Sequence, residues 1–264
     1  MTPARLVCVG THHKTGTLWM RAVFRRLAAA MGAPYHVVYP VTRLAKAVPP
    51  AGPAVLASWS SRFPGWLHDR ADARILHVIR DPRDVLLSGM RYHRHAGEKG
   101  ERFLHVPRDD LGGRTYQEHL NRLPDDAARL RFEMAEKHAE TLEQMLAWDY
   151  ASPRHVETRY EALRTDSEMR HFSDCLRCLG LEEDAVETGA AIFWNHALFG
   201  GKADPADRAA RVQAHVAHGG VAQWRTRLPR AVARDYAERH GDALVTLGYE
   251  DHPSRWLEAL DDAA

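Results

Sequence analysis

Leu6-Val7-Cys8-Val9-Gly10-Thr11-His12-His13-Lys14-Thr15-Gly16-Thr17-Leu18-Trp19 is the stretch on which the fold turns. Residues 5–10 are a short apolar run ending in glycine, the pattern of a buried strand. The next helix shows its buried stripe at Met20, Val23, Phe24, Leu27 and Met31, spaced i, i+3, i+4, i+7 and i+11, with Arg21, Arg25 and Arg26 on the opposite face. Gly32 ends it. Between them, Thr11–Gly16 joins strand to helix. At such a junction the unpaired backbone N–H groups and the helix dipole face an anion. Gly16 lets the backbone approach closely, Lys14 supplies a point charge, and Thr15 and Thr17 bring hydroxyls. The lysine precedes the glycine by two, so the G-x-x-x-x-G-K-[ST] order of the triphosphatase loop is absent.

Working outward, further strands are expected at Tyr35–Tyr39, Val55–Ser58, Arg74–Ile79 and His155–Arg159. Helices are expected near Gly65–Arg70, after Asp81-Pro82, in one long run ending near Trp148, near 168–179 and 182–198, and over Pro229–Leu247. Residues 40–53 read as an irregular proline-rich connection, 97–113 as a mobile loop, and 200–222 as a lid or loop. Strands alternating with helices predict a three-layer α/β/α domain around a central, mainly parallel sheet. With 264 residues we expect a single domain across the chain, with a peripheral tail after about 250.

Basic and acidic residues number 36 and 35, for a formal net charge of +1. That balance argues against a nucleic-acid coat or a polybasic membrane binder. No apolar run reaches the roughly 18 residues of a transmembrane helix, and residues 5–10 are too short for a signal peptide, so a cytoplasmic protein is expected. The three cysteines, at 8, 175 and 178, imply no disulfide framework. Cys175 and Cys178 are expected to be buried or partly buried thiols in a helix.

A second anion motif follows the fourth strand: Arg80-Asp81-Pro82-Arg83-Asp84-Val85-Leu86-Leu87-Ser88. Asp81 is placed to cap the helix, with Pro82 in its first turn. Arg80 ends the strand on the edge where open α/β sheets bind ligands, and its guanidinium can fork two phosphate oxygens. Ser88, two turns in, adds a hydroxyl.

K-T-G-T-x-W at 14–19 resembles the 5′-phosphosulfate loop of the sulfotransferases, and R-x-P-[RK]-D-V-x-x-S at 80–88 resembles their 3′-phosphate motif. Arg159-Tyr160-Glu161-Ala162-Leu163 is similar to the family's R-Y-E-D-L segment. Gly219-Gly220-Val221-Ala222-Gln223-Trp224-Arg225 partly matches its R-K-G-x-x-G-D-W-[KR] segment, with Ala217 and His218 in place of the basic pair. The resemblance implies a P-loop-like sulfotransferase fold. It implies transfer of the sulfuryl group of 3′-phosphoadenosine 5′-phosphosulfate to a small-molecule or glycan acceptor, without a metal. It places Lys14, Thr15, Gly16, Thr17 and Trp19 around the 5′-phosphosulfate and adenine, Arg80 and Ser88 at the 3′-phosphate, and Tyr160 near the adenine. Trp224 and Arg225 fit its C-terminal nucleotide segment. Lys14 is the candidate for the catalytic cation. The family's histidine after the third strand has no counterpart in Ala57-Ser58-Trp59-Ser60-Ser61, which leaves His13, or else His12, His93 or His95, as candidate base. Two other classes stay open: a P-loop nucleotide kinase or phosphotransferase, and a nucleotide-binding protein without turnover.

Overall fold

The computed structural model describes residues 6–38, 53–98, 101–197 and 221–261. The lid expected at 200–222, with Ala217, His218, Gly219 and Gly220, lies outside them except for its last two residues. The same holds for the connection at 40–53 except Pro53. In chain order the principal elements are β1 (Leu6–Gly10), α1 (Thr17–Ala30), β2 (Tyr35–Val37), β3 (Ala54–Ser58), α2 (Gly65–Asp69), β4 (Ala73–Ile79) and α3 (Pro82–His93). There follow α4 (Tyr116–Arg122), α5 (Asp126–Ala135), α6 (Lys137–Leu146), β5 (His155–Arg159), α7 (Tyr160–Thr165) and α8 (Arg170–Cys178). Then come α9 (Glu183–His196), α10 (Trp224–Arg227) and α11 (Arg230–Thr246). The chain forms two units, one from Met1–Arg80 with Ala147–Val221, the other from Asp81–Leu146 with Ala222–Ala264.

The first unit holds the sheet, in the order β2-β3-β1-β4-β5. Every pairing is parallel, and Gly10 lies opposite Ser58 on one side and His77 on the other. Parallel strands buried on both faces read as continuous apolar runs, which is why β1, β3 and β4 were legible in the sequence; the edge strands β2 and β5 are largely half-buried. On one face Val7, Val9, Val55, Ala57, Leu76 and Val78 pack under Met20, Phe24 and Leu27 of α1 and under Phe172, Leu176 and Phe193 of α8 and α9. On the other, Cys8, Leu56 and Ile75 meet Leu67 of α2 and Trp148. Strand order reverses at β1, whose neighbours are β3 and β4. The crevice at the carboxyl ends of β1 and β4 is therefore the topological switch point, where such sheets bind ligands.

The second unit is helical around one apolar cluster that includes Leu86, Met90, Tyr116, Met134, Trp224, Val232, Tyr236 and Trp256. Asp81 caps α3 by accepting the Arg83 N–H at 2.9 Å, with Pro82 in the first turn. Three expectations change here. The single long helix is three, because the backbone turns extended at Leu123 (ψ 143°) and Asp125 (ψ 174°) and leaves helical geometry again at Glu136 (φ −107°, ψ −108°), whose carboxylate Arg108 grips at 2.7 Å. The loop expected at 97–113 contains two 3₁₀ turns, Arg102–His105 and Asp109–Leu111, pinned by buried Leu104 and Leu111. The tail after 250 is not peripheral, since Trp256 and Leu260 are buried in this unit's core. Cys8 and Cys175 are buried free thiols, whereas Cys178 is exposed.

Candidate nucleotide site

The loop after β1 is held by its own hydroxyls. Thr15 Oγ1 accepts the His12 N–H at 2.8 Å and donates to the His12 carbonyl at 3.0 Å. Thr17 Oγ1 donates to the same carbonyl at 2.9 Å and lies 3.0 Å from Thr11 Oγ1. Ser61, from the loop after β3, donates to the Thr11 carbonyl at 3.2 Å. The expectation that the Thr15 hydroxyl meets an anion is thus corrected: Thr15 is fully buried, and its hydroxyl shapes the loop. What remains for an anion is backbone. Gly16 is the N-cap of α1 in left-handed geometry with no side-chain cap, so the first-turn N–H groups have no intrahelical acceptor.

Lys14 takes a φ of 63°, rare for a residue with a Cβ. Gly16 takes a φ of 98°, and a Cβ there would come within 3.1 Å of the Tyr160 ring. Arg80, 5% exposed, donates from Nη1 to the Lys14 carbonyl at 3.1 Å. Its guanidinium lies 4.6 Å from the Tyr160 ring centre, a cation–π distance. Lys14 and Arg80 therefore follow adjacent parallel strands at one sheet edge. Trp19 meets Tyr160 edge-on at 6.2 Å and stacks on Phe193 at 4.9 Å. Phe193, on α9, was missed by sequence reasoning, because an aromatic in an apolar helix stripe reads as core. Arg164, one turn along α7 from Tyr160, was missed too, and is 7% exposed.

The candidate bases separate clearly. His12 is fully buried, with Nε2 at 2.8 Å from His77 Nε2, so one ring donates and the other accepts. His77 stacks on Trp148 at 4.1 Å, and burial lowers its pKa to about 3. His93 is also fully buried, in the second unit, where Glu133 Oε2 lies 2.7 Å from its Nδ1 and also accepts the Tyr116 hydroxyl at 2.7 Å. Both rings belong to interior networks. His95 is exposed on the second unit and His13 is half-buried beside Lys14.

Ser88 is half-buried on α3 in the second unit. Trp224 was expected at the nucleotide but is 2% exposed. Its ring is covered by Arg83 at 3.8 Å, Arg225 at 5.0 Å and Trp256 at 5.4 Å, and the Trp224 backbone N–H donates to Asp84 Oδ1 at 3.1 Å. The indole is core, and Arg225 lies over it from the surface. Among the described residues no cluster of His, Cys, Asp or Glu is placed to hold a metal ion, and no helix is long and apolar enough to cross a membrane.

No protein-family model and no curated protein sequence matches the chain. Solved structures do. Mouse sulfotransferase SULT7A1 complexed with PAP is similar over 94% of this chain and 89% of its own, with a TM-score of 0.57 at 13% identity. Retinol dehydratase in complex with androsterone and the inactive cofactor PAP is similar over 91% of this chain and 80% of its own, with a TM-score of 0.53 at 14% identity. The chain has the sulfotransferase fold.

Proposed function

We propose that this chain is a sulfotransferase, moving the sulfuryl group of 3′-phosphoadenosine 5′-phosphosulfate to an acceptor hydroxyl. The observation that carries the reading is Lys14 and Arg80 at one switch point, tied by the 3.1 Å hydrogen bond and roofed by Tyr160. The likeness to two proteins crystallised with PAP supports it. The open backbone N–H groups of α1 and the ammonium of Lys14 suit a 5′-phosphosulfate. Arg80 suits the 3′-phosphate, and Trp19 with Tyr160 offers aromatic surface to adenine.

In the reaction the acceptor oxygen forms a bond to sulfur as the bond from sulfur to the bridging phosphate oxygen breaks. Negative charge grows on that oxygen. We assign Lys14 to it, since a cation placed where charge develops stabilises the transition state more than the ground state. We assign the acceptor proton to His13, because His12 and His93 are enclosed in interior networks. Androsterone on one neighbour makes small apolar alcohols the first acceptors to screen.

The test is ligand-dependent melting followed by transfer. Adenosine 3′,5′-bisphosphate should raise Tm well above the effect of adenosine 5′-monophosphate or of ATP with Mg²⁺. Arg80→Ala should weaken bisphosphate binding by about 2–3 kcal/mol, the scale of a lost charge-assisted contact. Labelled sulfuryl transfer should proceed in chelator. Equal stabilisation by the monophosphate would overturn the reading, and bisphosphate binding without transfer to any acceptor would favour a non-catalytic nucleotide binder.

A further inference from the structure

Arg164 is an expensive residue with no visible occupation. It is 7% exposed, yet its Nε and Nη1 are buried without a hydrogen-bond acceptor. Among the described residues no carboxylate pairs with it, whereas Arg70, Arg83, Arg108 and Arg177 all hold one. A buried cation with no counter-charge forfeits solvation that nothing returns.

Its position suggests what would. Tyr160 and Arg164 stand four apart on α7, so they share a face of the helix. The Tyr160 ring lies 4.6 Å from the Arg80 guanidinium, and Arg80 reaches the Lys14 carbonyl. Burial and the positive charge of Arg80 both push the Arg164 pKa down, and Tyr160 opposes them. Both guanidiniums remain charged at neutral pH. Arg80 lies over the Tyr160 ring and Arg164, one turn on, is near enough to feel its charge; two like charges so placed are stabilised by an anion between them, and best by one carrying close to two negative charges. A phosphate monoester has that charge near neutral pH, and three acceptor oxygens.

We infer that Arg164 is the second guanidinium of a phosphate-monoester subsite shared with Arg80, and that it sets the preference for a 3′-phosphorylated nucleotide. This rests on the nucleotide reading proposed above. In that reading the 5′ group sits at the Lys14 loop, so the monoester at Arg80 and Arg164 is the 3′-phosphate.

The experiment is calorimetric titration of the full chain with adenosine 3′,5′-bisphosphate and with adenosine 5′-monophosphate, beside ligand-free melting. Arg164→Met keeps an unbranched apolar stem and removes the charge. It should weaken bisphosphate binding by about 100-fold, as loss of a bidentate charged contact does, and change monophosphate binding less than about threefold. Its ligand-free Tm should equal or exceed that of the parent, because an unpaired buried charge is exchanged for an apolar side chain. A structural arginine would lower Tm instead. Arg164→Lys should recover only part of the affinity, restoring charge without the planar fork. If Arg164→Met does not fold, Arg164→Lys decides, and bisphosphate affinity equal to the parent's would overturn the inference. Loss of both nucleotides in equal measure, or a preference unchanged in Arg164→Met, would also overturn it. A parent chain without any preference between the two nucleotides would instead overturn the nucleotide reading itself.

Discussion

Lys14 and Gly16 both take left-handed backbone within three residues. For Lys14 that conformation costs about 1–2 kcal/mol, held by the Thr11, Thr15 and Thr17 hydroxyls and by Arg80. The strain places the lysine side chain on a stiff loop, as the role proposed for it requires. Lys14→Ala should therefore lower kcat by about 100-fold or more, with a smaller change in donor KM, read from steady-state transfer beside bisphosphate titration. A normal kcat with a raised KM would make Lys14 a binding residue only. His13→Ala should lower kcat about 10²–10⁴-fold with bisphosphate affinity kept. An unchanged rate would remove His13 as the base. Gly16→Ala meets two penalties, a φ of 98° and a ring atom 3.1 Å away, and should cost about 1–3 kcal/mol in urea unfolding. The places of Lys14, Gly16 and Arg80 just after β1 and β4 were legible because those two strands are buried apolar runs. The duty of Thr15 was not, because a hydroxyl gives no sign in sequence of whether it faces ligand or backbone.

Helix α3 is anchored by Arg83, a charged residue that is 2% exposed. Its guanidinium makes a bidentate pair with Asp81 at 3.0 and 2.8 Å, meets Glu250 at 2.6 Å, and lies between the rings of Trp224 and Trp256. Removing one member of a buried ion network strands the others, so Arg83→Met should cost about 3–5 kcal/mol. Lysine should rescue little, having no planar fork to stack. A loss under 1 kcal/mol in urea unfolding would contradict this account. The anchor explains what sequence reading could not reach. Arginine in a helix reads as surface, and its partners Trp224, Glu250 and Trp256 are remote in the chain. The break at Glu136 was hidden for another reason: Met134, His138, Leu142 and Met145 keep helical spacing straight through it. The turns at 102–111 are too short to carry any period. β1, β3, β4 and α1, by contrast, bury whole faces and write them as pattern.

Across the whole molecule, acid should act through two interior imidazoles. Burial lowers His77 and His138 to about 3 each, against about 6.5 in the unfolded chain. Between those values the unfolded chain binds the extra protons, so stability is full above about pH 6.5 and falls as pH drops toward 3. Well inside the window each ring contributes about 1.4 kcal/mol per pH unit. The slope of urea-unfolding free energy between pH 6 and 4 should shrink by about one proton in His77→Gln, and an unchanged slope would show that His77 is not neutral by burial. The division into two units has a consequence for how the protein is made. The chain crosses between them after Arg80, after Leu146 and after Val221, so neither is continuous in sequence. Synthesis delivers β4 long before β5, and Asp81 and Arg83 long before Trp224, Glu250 and Trp256. A nascent chain that has reached Val221 already owns every strand of the sheet, while Arg83 still waits for both indoles and its second carboxylate. The first unit can close on the ribosome, and the second only once the last stretch emerges.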